Sequence, residues 1–237
     1  MSGDKSMIKN LIFDFGRVLA YPATGNWFIT PETKNILGAI KFFKLTHSPK
    51  SPTAFRNSCK YLDSVHLLHT EKEEIEQFTE FYQRALAEIG IKDNYGSLAL
   101  KLAQDVTLND NKVIIYDDVL PCFELFKKNY TVSVLSDTWP SLRRVLENYE
   151  IAPYLDGLIL SCDYNEQKSG TKLFEIAIKE LSILPQESIF IDDSESNLVN
   201  ASKVGFNCIL MDRTGKKTES KYPIIYNLKD LETMISV

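Results

Sequence analysis

The sequence has few of the residues that build zinc sites or disulfide frameworks. It holds three histidines and four cysteines in 237 residues, and no two cysteines form a Cys-x-x-Cys pair. Zinc sites need closely spaced ligands, and disulfide scaffolds need many cysteines in a short chain. The composition argues against both and fits a reducing compartment, so we expect a cytoplasmic protein. The cysteines stand at Cys59, Cys122, Cys162 and Cys208.

Positive charge and long apolar runs are also scarce. The formal net charge is −5 at pH 7, whereas surfaces that bind nucleic acid or anionic membranes are rich in Lys and Arg. No apolar run approaches the roughly 20 residues of a membrane span, and no stretch has the pattern of a secretory signal. We expect neither a nucleic-acid nor a membrane partner. A local positive site for an anionic substrate stays open, and so does a homodimer.

Short apolar runs recur along the chain and end abruptly at polar residues. The clearest cover residues 8–13, 131–135 and 188–191, and weaker ones cover residues 157–160, 207–211 and 224–226. Helical patterns follow at about residues 118–128, 140–149, 172–182 and 195–204. This alternation predicts an α/β fold with a Rossmann-like parallel sheet and helices on both faces. The polar residues 1–6 are predicted to form a tail outside this fold.

Residues 21–113 break the alternation and have a helical pattern. The clearest helix begins at Thr70, where Glu73 completes a capping-box pattern, and it ends at Gly90. Other helices are expected at about residues 31–43, 53–67 and 97–104. The sequence therefore predicts a core of residues 7–20 and 114–237, interrupted by an α-helical cap of residues 21–113. The apolar face of the clearest helix contains Ile75, Phe78, Tyr82, Ala85, Leu86 and Ile89.

The three clearest strands are followed by residues with oxygen-bearing side chains. Asp14 follows the first, Ser136 the second, and Asp192 with Asp193 the third. In open α/β sheets, ligands bind outside the carboxyl ends of the strands. One acid at such an end often only caps the next helix, but three strands that end in this way favour a shared site. Converging carboxylates suit Mg²⁺, which prefers oxygen ligands.

Four short motifs, in this order, resemble those of the haloacid dehalogenase-like (HAD) hydrolase superfamily. Residues 13–19 (FDFGRVL) resemble the first motif, and Ser136-Asp137 resembles the second. Lys168, followed six residues later by Phe174, is placed like the lysine of the third motif. Residues 192–197 (DDSESN) resemble the fourth. Each motif is weak alone, but the set spans essentially the whole core.

This resemblance implies a magnesium-dependent phosphatase. Asp14 is then the nucleophile that attacks phosphorus and forms an aspartyl-phosphate. The Mg²⁺ cofactor is held by Asp14, by Asp193 and by the backbone carbonyl of Gly16, with Asp192 in or just outside the metal shell. Lys168 is the second catalytic residue, because it neutralises charge on Asp14 and on the transferring phosphoryl group.

The resemblance also implies how the substrate is bound. The Ser136 hydroxyl donates a hydrogen bond to a phosphate oxygen, and Asp137, Phe15 and Gly16 contribute nearby backbone N–H groups. The expected substrate is a small phosphorylated metabolite, with sugar phosphates among the candidates.

Three positions depart from the usual pattern. Gly16 stands where typical family phosphatases have a second aspartate, whose acid–base role contributes about 10²–10⁴-fold in rate. Members with glycine there include some that resemble sugar-1-phosphate phosphatases. Residues 169–171 (SGT) replace a Lys-Pro-Asp-like sequence. Arg17 stands where glycine or asparagine is common, and contact with a substrate anion, a structural ion pair and solvent exposure all stay open.

Two other functions remain open at this stage. A metal-independent dehalogenase of the same fold also uses an aspartate nucleophile, and Gly16 does not exclude it. The Asp192–Asp193 pair counts against it, because a metal-free site that displaces an anion gains nothing from extra negative charge. A catalytically weakened binding or regulatory protein of the same fold is the other alternative. The presence of Asp14 and Lys168 argues against a complete loss of turnover.

Overall fold

The computed structural model describes residues 7–235, and the predicted tail at residues 1–6 lies outside the described residues. The strands are β1 (Asn10–Phe13), β2 (Ala20–Pro22), β3 (Val113–Ile115), β4 (Thr131–Ser136), β5 (Gly157–Leu160), β6 (Ser188–Asp192), β7 (Asn207–Met211) and β8 (Ile224–Ile225). The helices are α1 (Thr33–Leu37), α2 (Ala39–His47), α3 (Ser51–Ser64), α4 (Glu71–Ile89), α5 (Tyr95–Leu108), α6 (Val119–Phe126), α7 (Leu142–Asn148), α8 (Ser161–Tyr164), α9 (Lys172–Glu180), α10 (Glu195–Lys203) and α11 (Leu228–Ile235). Across residues 7–235, no helix has the length and apolar character that a membrane span requires.

Six strands form one parallel sheet in the order β5-β4-β1-β6-β7-β8. These are the six strands that the apolar runs predict. The central strand β1 pairs with both β4 and β6, and its last residue, Phe13, lies opposite Val134 and Ile191. This register places Asp14, Ser136 and Asp192 at the same edge of the sheet.

Helices cover both faces of the sheet. Ile12 packs in a cluster with Phe174 of α9 and Leu198 of α10 on one face. The next residue, Phe13, points to the other face, where its ring centroid lies 5.0 Å from that of Phe123 in α6. Because successive strand residues point to opposite faces, both sides of β1 are buried. The predicted α/β, Rossmann-like fold is confirmed.

The chain divides into two compact units. The sheet unit contains the described parts of Met1–Tyr21 and Leu146–Val237 together with Ile115–Thr138, and the helical unit contains Pro22–Ile114 and Trp139–Val145. The segment Trp139–Val145 follows β4 in sequence but packs with the helical unit. Its Ser141 N–H donates to Glu74 at 2.8 Å, and its Arg144 donates to Glu71 at 2.8 Å.

The helical unit contains the predicted capped helix as α4. Thr70 Oγ1 accepts a hydrogen bond from the Glu73 N–H at 3.2 Å, and the Glu73 carboxylate accepts one from the Thr70 N–H at 2.9 Å. Gly90 ends the helix with φ at 84°. The helix predicted at residues 31–43 is wrong in its continuity, because Gly38, with φ at 73°, separates α1 from α2.

Candidate active site

Asp14 lies directly after the central strand and is 7% exposed. Its N–H donates to the Ile191 carbonyl at 2.9 Å, so the backbone is held by the sheet up to this residue. Ser136, the last residue of β4, donates its hydroxyl to Asp14 Oδ1 at 2.8 Å. The structure therefore brings the predicted nucleophile and the predicted phosphate-binding hydroxyl into direct contact.

Lys168 joins two of the predicted acids. Its Nζ atom lies 2.6 Å from Asp14 Oδ1 and 2.7 Å from Asp192 Oδ2, and its side chain is only 2% exposed. A buried ammonium group is costly unless opposite charges compensate it, and here two carboxylates do so. The structure thus places Lys168 directly beside the predicted nucleophile.

Both backbone polar groups of Lys168 are hydrogen-bonded to side chains. Its N–H donates to Asp137 Oδ1 at 3.0 Å, and its carbonyl accepts from Asn200 Nδ2 at 3.0 Å. These bonds hold the lysine in place despite the unusual residues 169–171. Asp137, predicted near the substrate, directs its carboxylate at the Lys168 loop. Asn200 was not singled out in the sequence, because its single contact with this loop leaves no local pattern.

Asp192 is fully buried, and protein groups bond both of its oxygens. The Ser194 N–H donates to Oδ1 at 2.8 Å, and Asn197 Nδ2 lies 3.2 Å from Oδ1 and 3.1 Å from Oδ2. With Lys168 also on Oδ2, the carboxylate is held in one orientation. Asp192 therefore fixes the lysine head group together with Asp14.

Asp193 completes a cluster of carboxylates. One oxygen from each of Asp14, Asp192 and Asp193 lies within 4.8 Å of the others. The Asp193 side chain is 28% exposed. Within residues 7–235, both contacts of the Asp14 carboxylate are made through Oδ1, so Oδ2 points to no protein partner. A set of carboxylate oxygens this close together fits the ligand preference of Mg²⁺.

Phe15 and Gly16 begin a tight turn after Asp14. The Phe15 carbonyl accepts the N–H groups of Leu19 and Ala20 at 2.9 and 3.0 Å. The Arg17 N–H donates to the Ala20 carbonyl at 2.6 Å. None of these bonds uses the Gly16 carbonyl, so the turn leaves it available to a ligand, as the family resemblance requires.

Burial and neighbouring charges shift the acid–base properties of the cluster. Burial raises the pKa of Asp14 to about 7, although Lys168 opposes this shift and Asp192 adds to it. Burial alone would lower the pKa of Lys168, but Asp14 and Asp192 outweigh it and hold that pKa above its ordinary value. Burial and the Asp192 charge also raise the pKa of Asp193, against the effect of Arg17. Added positive charge would therefore favour the ionised acids.

A buried arginine holds the turn after Asp14 from a distant part of the chain. Arg213 donates to the Val18 carbonyl from Nε at 3.1 Å and from Nη2 at 2.7 Å. Its Nη1 lies 2.6 Å from Asp118 Oδ2. The guanidinium carbon lies 4.1 Å from the centroid of the Tyr116 ring. Sequence reasoning missed Arg213, because no local motif surrounds it.

Comparison with known proteins places the chain in a family. A model of the family described as haloacid dehalogenase-like hydrolase matches residues 53–211, more than half of the chain. The chain is 31% identical over 87 residues to D-ribitol-5-phosphate phosphatase of Bacteroides thetaiotaomicron, and 25% identical over 122 residues to (S)-2-haloacid dehalogenase 4A of Burkholderia cepacia. These matches cover 34% and 50% of this chain, and 42% and 53% of the relatives, so the chain spans about half or less of the length of each.

A solved structure is similar over almost the whole chain. A HAD-hydrolase from Bacillus subtilis, described as bound to magnesium, has a TM-score of 0.70 at 13% identity and covers 98% of this chain and 100% of its own. At this identity the similarity concerns the fold. Together with the family model, it confirms the resemblance that the four motifs indicated. The chain belongs to the haloacid dehalogenase-like hydrolase family.

Proposed function

We propose that this protein is a Mg²⁺-dependent phosphatase of small phosphorylated metabolites, with Asp14 as its nucleophile. The observation that carries the proposal is the cluster of Asp14, Asp192 and Asp193 around a single buried lysine. When ionised, the three carboxylates carry more negative charge than Lys168 compensates, and a divalent cation offsets the remainder. A metal-free dehalogenase site would instead have to attack an anionic haloacid beside uncompensated acids.

The donor set divides into direct ligands and supporting groups. We assign Asp14 and Asp193, with the Gly16 carbonyl, to the metal. Within residues 7–235, Lys168 and Ser136 contact only Oδ1 of Asp14, the Asp193 carboxylate makes only the 3.7 Å ion pair with Arg17, and the turn leaves the Gly16 carbonyl unused. Asp192 belongs behind them, because protein donors already bond both of its oxygens. When bound, Mg²⁺ lowers the repulsion between the nucleophile and the phosphate.

The residues of the chain then divide the reaction between them. A carboxylate oxygen of Asp14 forms a bond to phosphorus while the bond to the leaving oxygen breaks, which gives an aspartyl-phosphate and an alkoxide that takes its proton from water to become the free alcohol. Lys168 stabilises the negative charge from its position on Asp14. The Ser136 hydroxyl turns from Asp14 to a phosphate oxygen that replaces its present acceptor. Water then hydrolyses the acyl phosphate, which releases inorganic phosphate and restores Asp14.

The leaving group sets the expected substrate class. Gly16 has no side chain that could protonate the leaving oxygen, so substrates whose leaving groups depart easily should react fastest. Anomeric and acyl phosphates have this property, whereas ordinary alkyl phosphates do not. The activity named for the Bacteroides relative, on a phosphorylated polyol, supports small phosphorylated metabolites as the general class.

The test is hydrolysis of p-nitrophenyl phosphate and of a panel of sugar 1- and 6-phosphates, with and without a chelator. We expect activity that needs Mg²⁺, favours the 1-phosphates, and falls at least about 10³-fold in Asp14→Asn. Asp93→Asn, an exposed change in the helical unit, is the matched control and should retain activity. Halide release from 2-chloropropionate in the presence of chelator would instead support the dehalogenase alternative.

A further inference from the structure

The sheet unit carries a cation that the mechanism above does not use. Arg17 Nη1 lies 3.7 Å from Asp193 Oδ2, which is longer than a hydrogen bond, and the Arg17 side chain is 64% exposed. Among residues 7–235, this is the only side-chain ion pair that Arg17 makes. Its guanidinium therefore lies beside the carboxylate cluster with most of its N–H donors unused.

The backbone at Arg17 has an unusual conformation. Its φ angle is 59°, in the left-handed region that is unfavourable for residues with a Cβ atom. The hydrogen bond from its N–H to Ala20 and the bonds from Arg213 to Val18 fix this turn. Strained backbone of this kind is concentrated at functional sites. The turn therefore fixes the position from which the Arg17 side chain extends, three residues after Asp14.

Two neighbouring tyrosines lie in the sheet unit, and the charge of Arg17 acts on one of them, Tyr116. The ring centroids of Tyr21 and Tyr116 lie 4.9 Å apart, and Tyr116 also stacks under Arg213. Burial raises the pKa of Tyr116, whose phenol also feels the charges of Arg213, Asp193 and Arg17. The phenol therefore stays protonated at neutral pH. Neither tyrosine hydroxyl bonds to any residue in the described part of the chain.

Charge balance indicates what this group of donors binds. If Asp193 ligates a divalent cation, its charge no longer compensates Arg17, and the guanidinium attracts another anion. In the proposed function, the transferring phosphoryl group is held by Asp14, Ser136 and Lys168. The anion at Arg17 must then be a different part of the substrate.

We propose that Arg17 selects phosphate monoesters that carry a second anionic group, either a carboxylate or another phosphate. The planar guanidinium can bind either group in a bidentate manner. This inference rests on the proposed phosphatase function and narrows its substrate class. Arg17 contributes to specificity rather than to the displacement at phosphorus.

The test compares substrates that differ only in the second anion. One pair is glucuronate 1-phosphate and glucose 1-phosphate, and another is glucose 1,6-bisphosphate and glucose 1-phosphate, so that every substrate carries an anomeric phosphate. We expect kcat/KM of the wild-type protein to be about 10–100-fold higher for the more anionic member of at least one pair, mainly through KM. Which pair shows the preference distinguishes a carboxylate from a second phosphate.

Two variants isolate the role of Arg17. Arg17→Asn removes the charge and keeps a residue that adopts positive φ, so the preference should fall to within about 3-fold while the protein stays folded. Arg17→Gly provides the same test if the asparagine variant does not fold. Lys9→Asn is the matched control, because Lys9 is an exposed cation paired with Glu187 at the opposite end of the sheet. It should keep the full preference.

The outcomes separate this inference from the proposed function. Equal kcat/KM values within both pairs for the wild type, or a preference that survives in Arg17→Asn and Arg17→Gly, would overturn the role of Arg17. In that case p-nitrophenyl phosphate is still hydrolysed with Mg²⁺. If no phosphate ester is hydrolysed with Mg²⁺, the proposed function itself fails, and this inference fails with it.

Discussion

Lys168 Nζ lies 2.6 Å from Asp14 Oδ1, and both side chains are buried at the carboxyl edge of the sheet. This ion pair connects the end of the first strand to a loop in the second half of the chain. It also makes the charge of the nucleophile depend on the lysine, because Lys168 lowers the pKa of Asp14 that burial raises.

Replacement of Lys168 with methionine should damage both activity and stability. Asp14 and Asp192 would remain buried without their shared cation, which typically costs about 3–5 kcal/mol of unfolding free energy. Loss of charge stabilisation should lower kcat at least about 10²-fold. Urea unfolding and p-nitrophenyl phosphate kinetics measure the two effects. The control is Lys172→Met, at a lysine whose side chain is 69% exposed; it should change neither the unfolding free energy nor kcat by much. A fully active Lys168→Met protein would contradict the role assigned to Lys168.

The raised pKa of Asp14 predicts how pH affects the metal-free protein. The folded-state pKa of about 7 exceeds the value of 3.8 for an unperturbed aspartate, so between these pH values the folded protein binds more protons than the unfolded one. The contribution of Asp14 to the unfolding free energy therefore falls as pH rises through this window. Mg²⁺ should reverse this trend, because it binds the ionised form.

Calorimetry of Mg²⁺ binding checks the same shift directly. Affinity should rise from pH 5.5 to about 7.5 and then level off, and binding near pH 6 should release protons into the buffer. Asp14→Asn should abolish the proton release that this carboxyl contributes. An affinity independent of pH, or proton uptake on binding, would be inconsistent with Asp14 as a metal ligand of raised pKa.

Asp192 and Asp193 should respond differently to conversion to asparagine. Asp193→Asn removes a proposed metal ligand at a partly exposed position, so Mg²⁺ affinity should fall at least about 10-fold with little change in stability. Asp192→Asn removes a partner of Lys168 in a fully buried position, so the unfolding free energy should fall by about 2–4 kcal/mol. Calorimetry and urea unfolding of both variants test this. A loss of Mg²⁺ affinity in Asp192→Asn and a loss of stability in Asp193→Asn would instead make Asp192 the metal ligand and Asp193 the supporting residue.

Ser136→Ala should change the pH profile as well as the rate. The Ser136 hydrogen bond lowers the pKa of Asp14, so its removal should move the acid limb of the kcat/KM profile to higher pH. We expect kcat/KM at pH 7 to fall about 10–100-fold, because a phosphate donor is also lost. Ser133→Ala, at a buried serine of the same strand β4, is the control. An unchanged acid limb in Ser136→Ala would argue against this coupling.

Much of the core could be predicted because its signals are local. Apolar runs such as residues 131–135 end at polar residues, and the parallel pairing of β1 with β4 and β6 then brings those residues together. The capped helix α4 was equally predictable, since Thr70 and Gly90 mark its ends. The strands β2 and β3 were missed; each has three residues, and they pair with each other outside the six-stranded sheet.

Other features depend on contacts that leave no local trace. Arg213 donates a hydrogen bond to Val18, which lies far from it in the sequence. Asn200 holds the Lys168 carbonyl through one hydrogen bond from its side-chain amide. The segment Trp139–Val145 joins the helical unit through contacts that are distant in sequence, such as the bond from Ser141 to Glu74. For Arg17, the sequence left three interpretations open, and its orientation beside Asp193 required the structure.

The most direct test of the central claim is to trap the covalent intermediate. The protein is quenched during turnover of p-nitrophenyl phosphate with Mg²⁺ and treated with borohydride, which reduces an acyl phosphate to the alcohol, and the peptide that contains residue 14 is sequenced by mass spectrometry. The mechanism predicts homoserine in place of Asp14 in the presence of Mg²⁺ and unmodified Asp14 when a chelator is added. Turnover with no modification at Asp14, or modification at another residue, would contradict it.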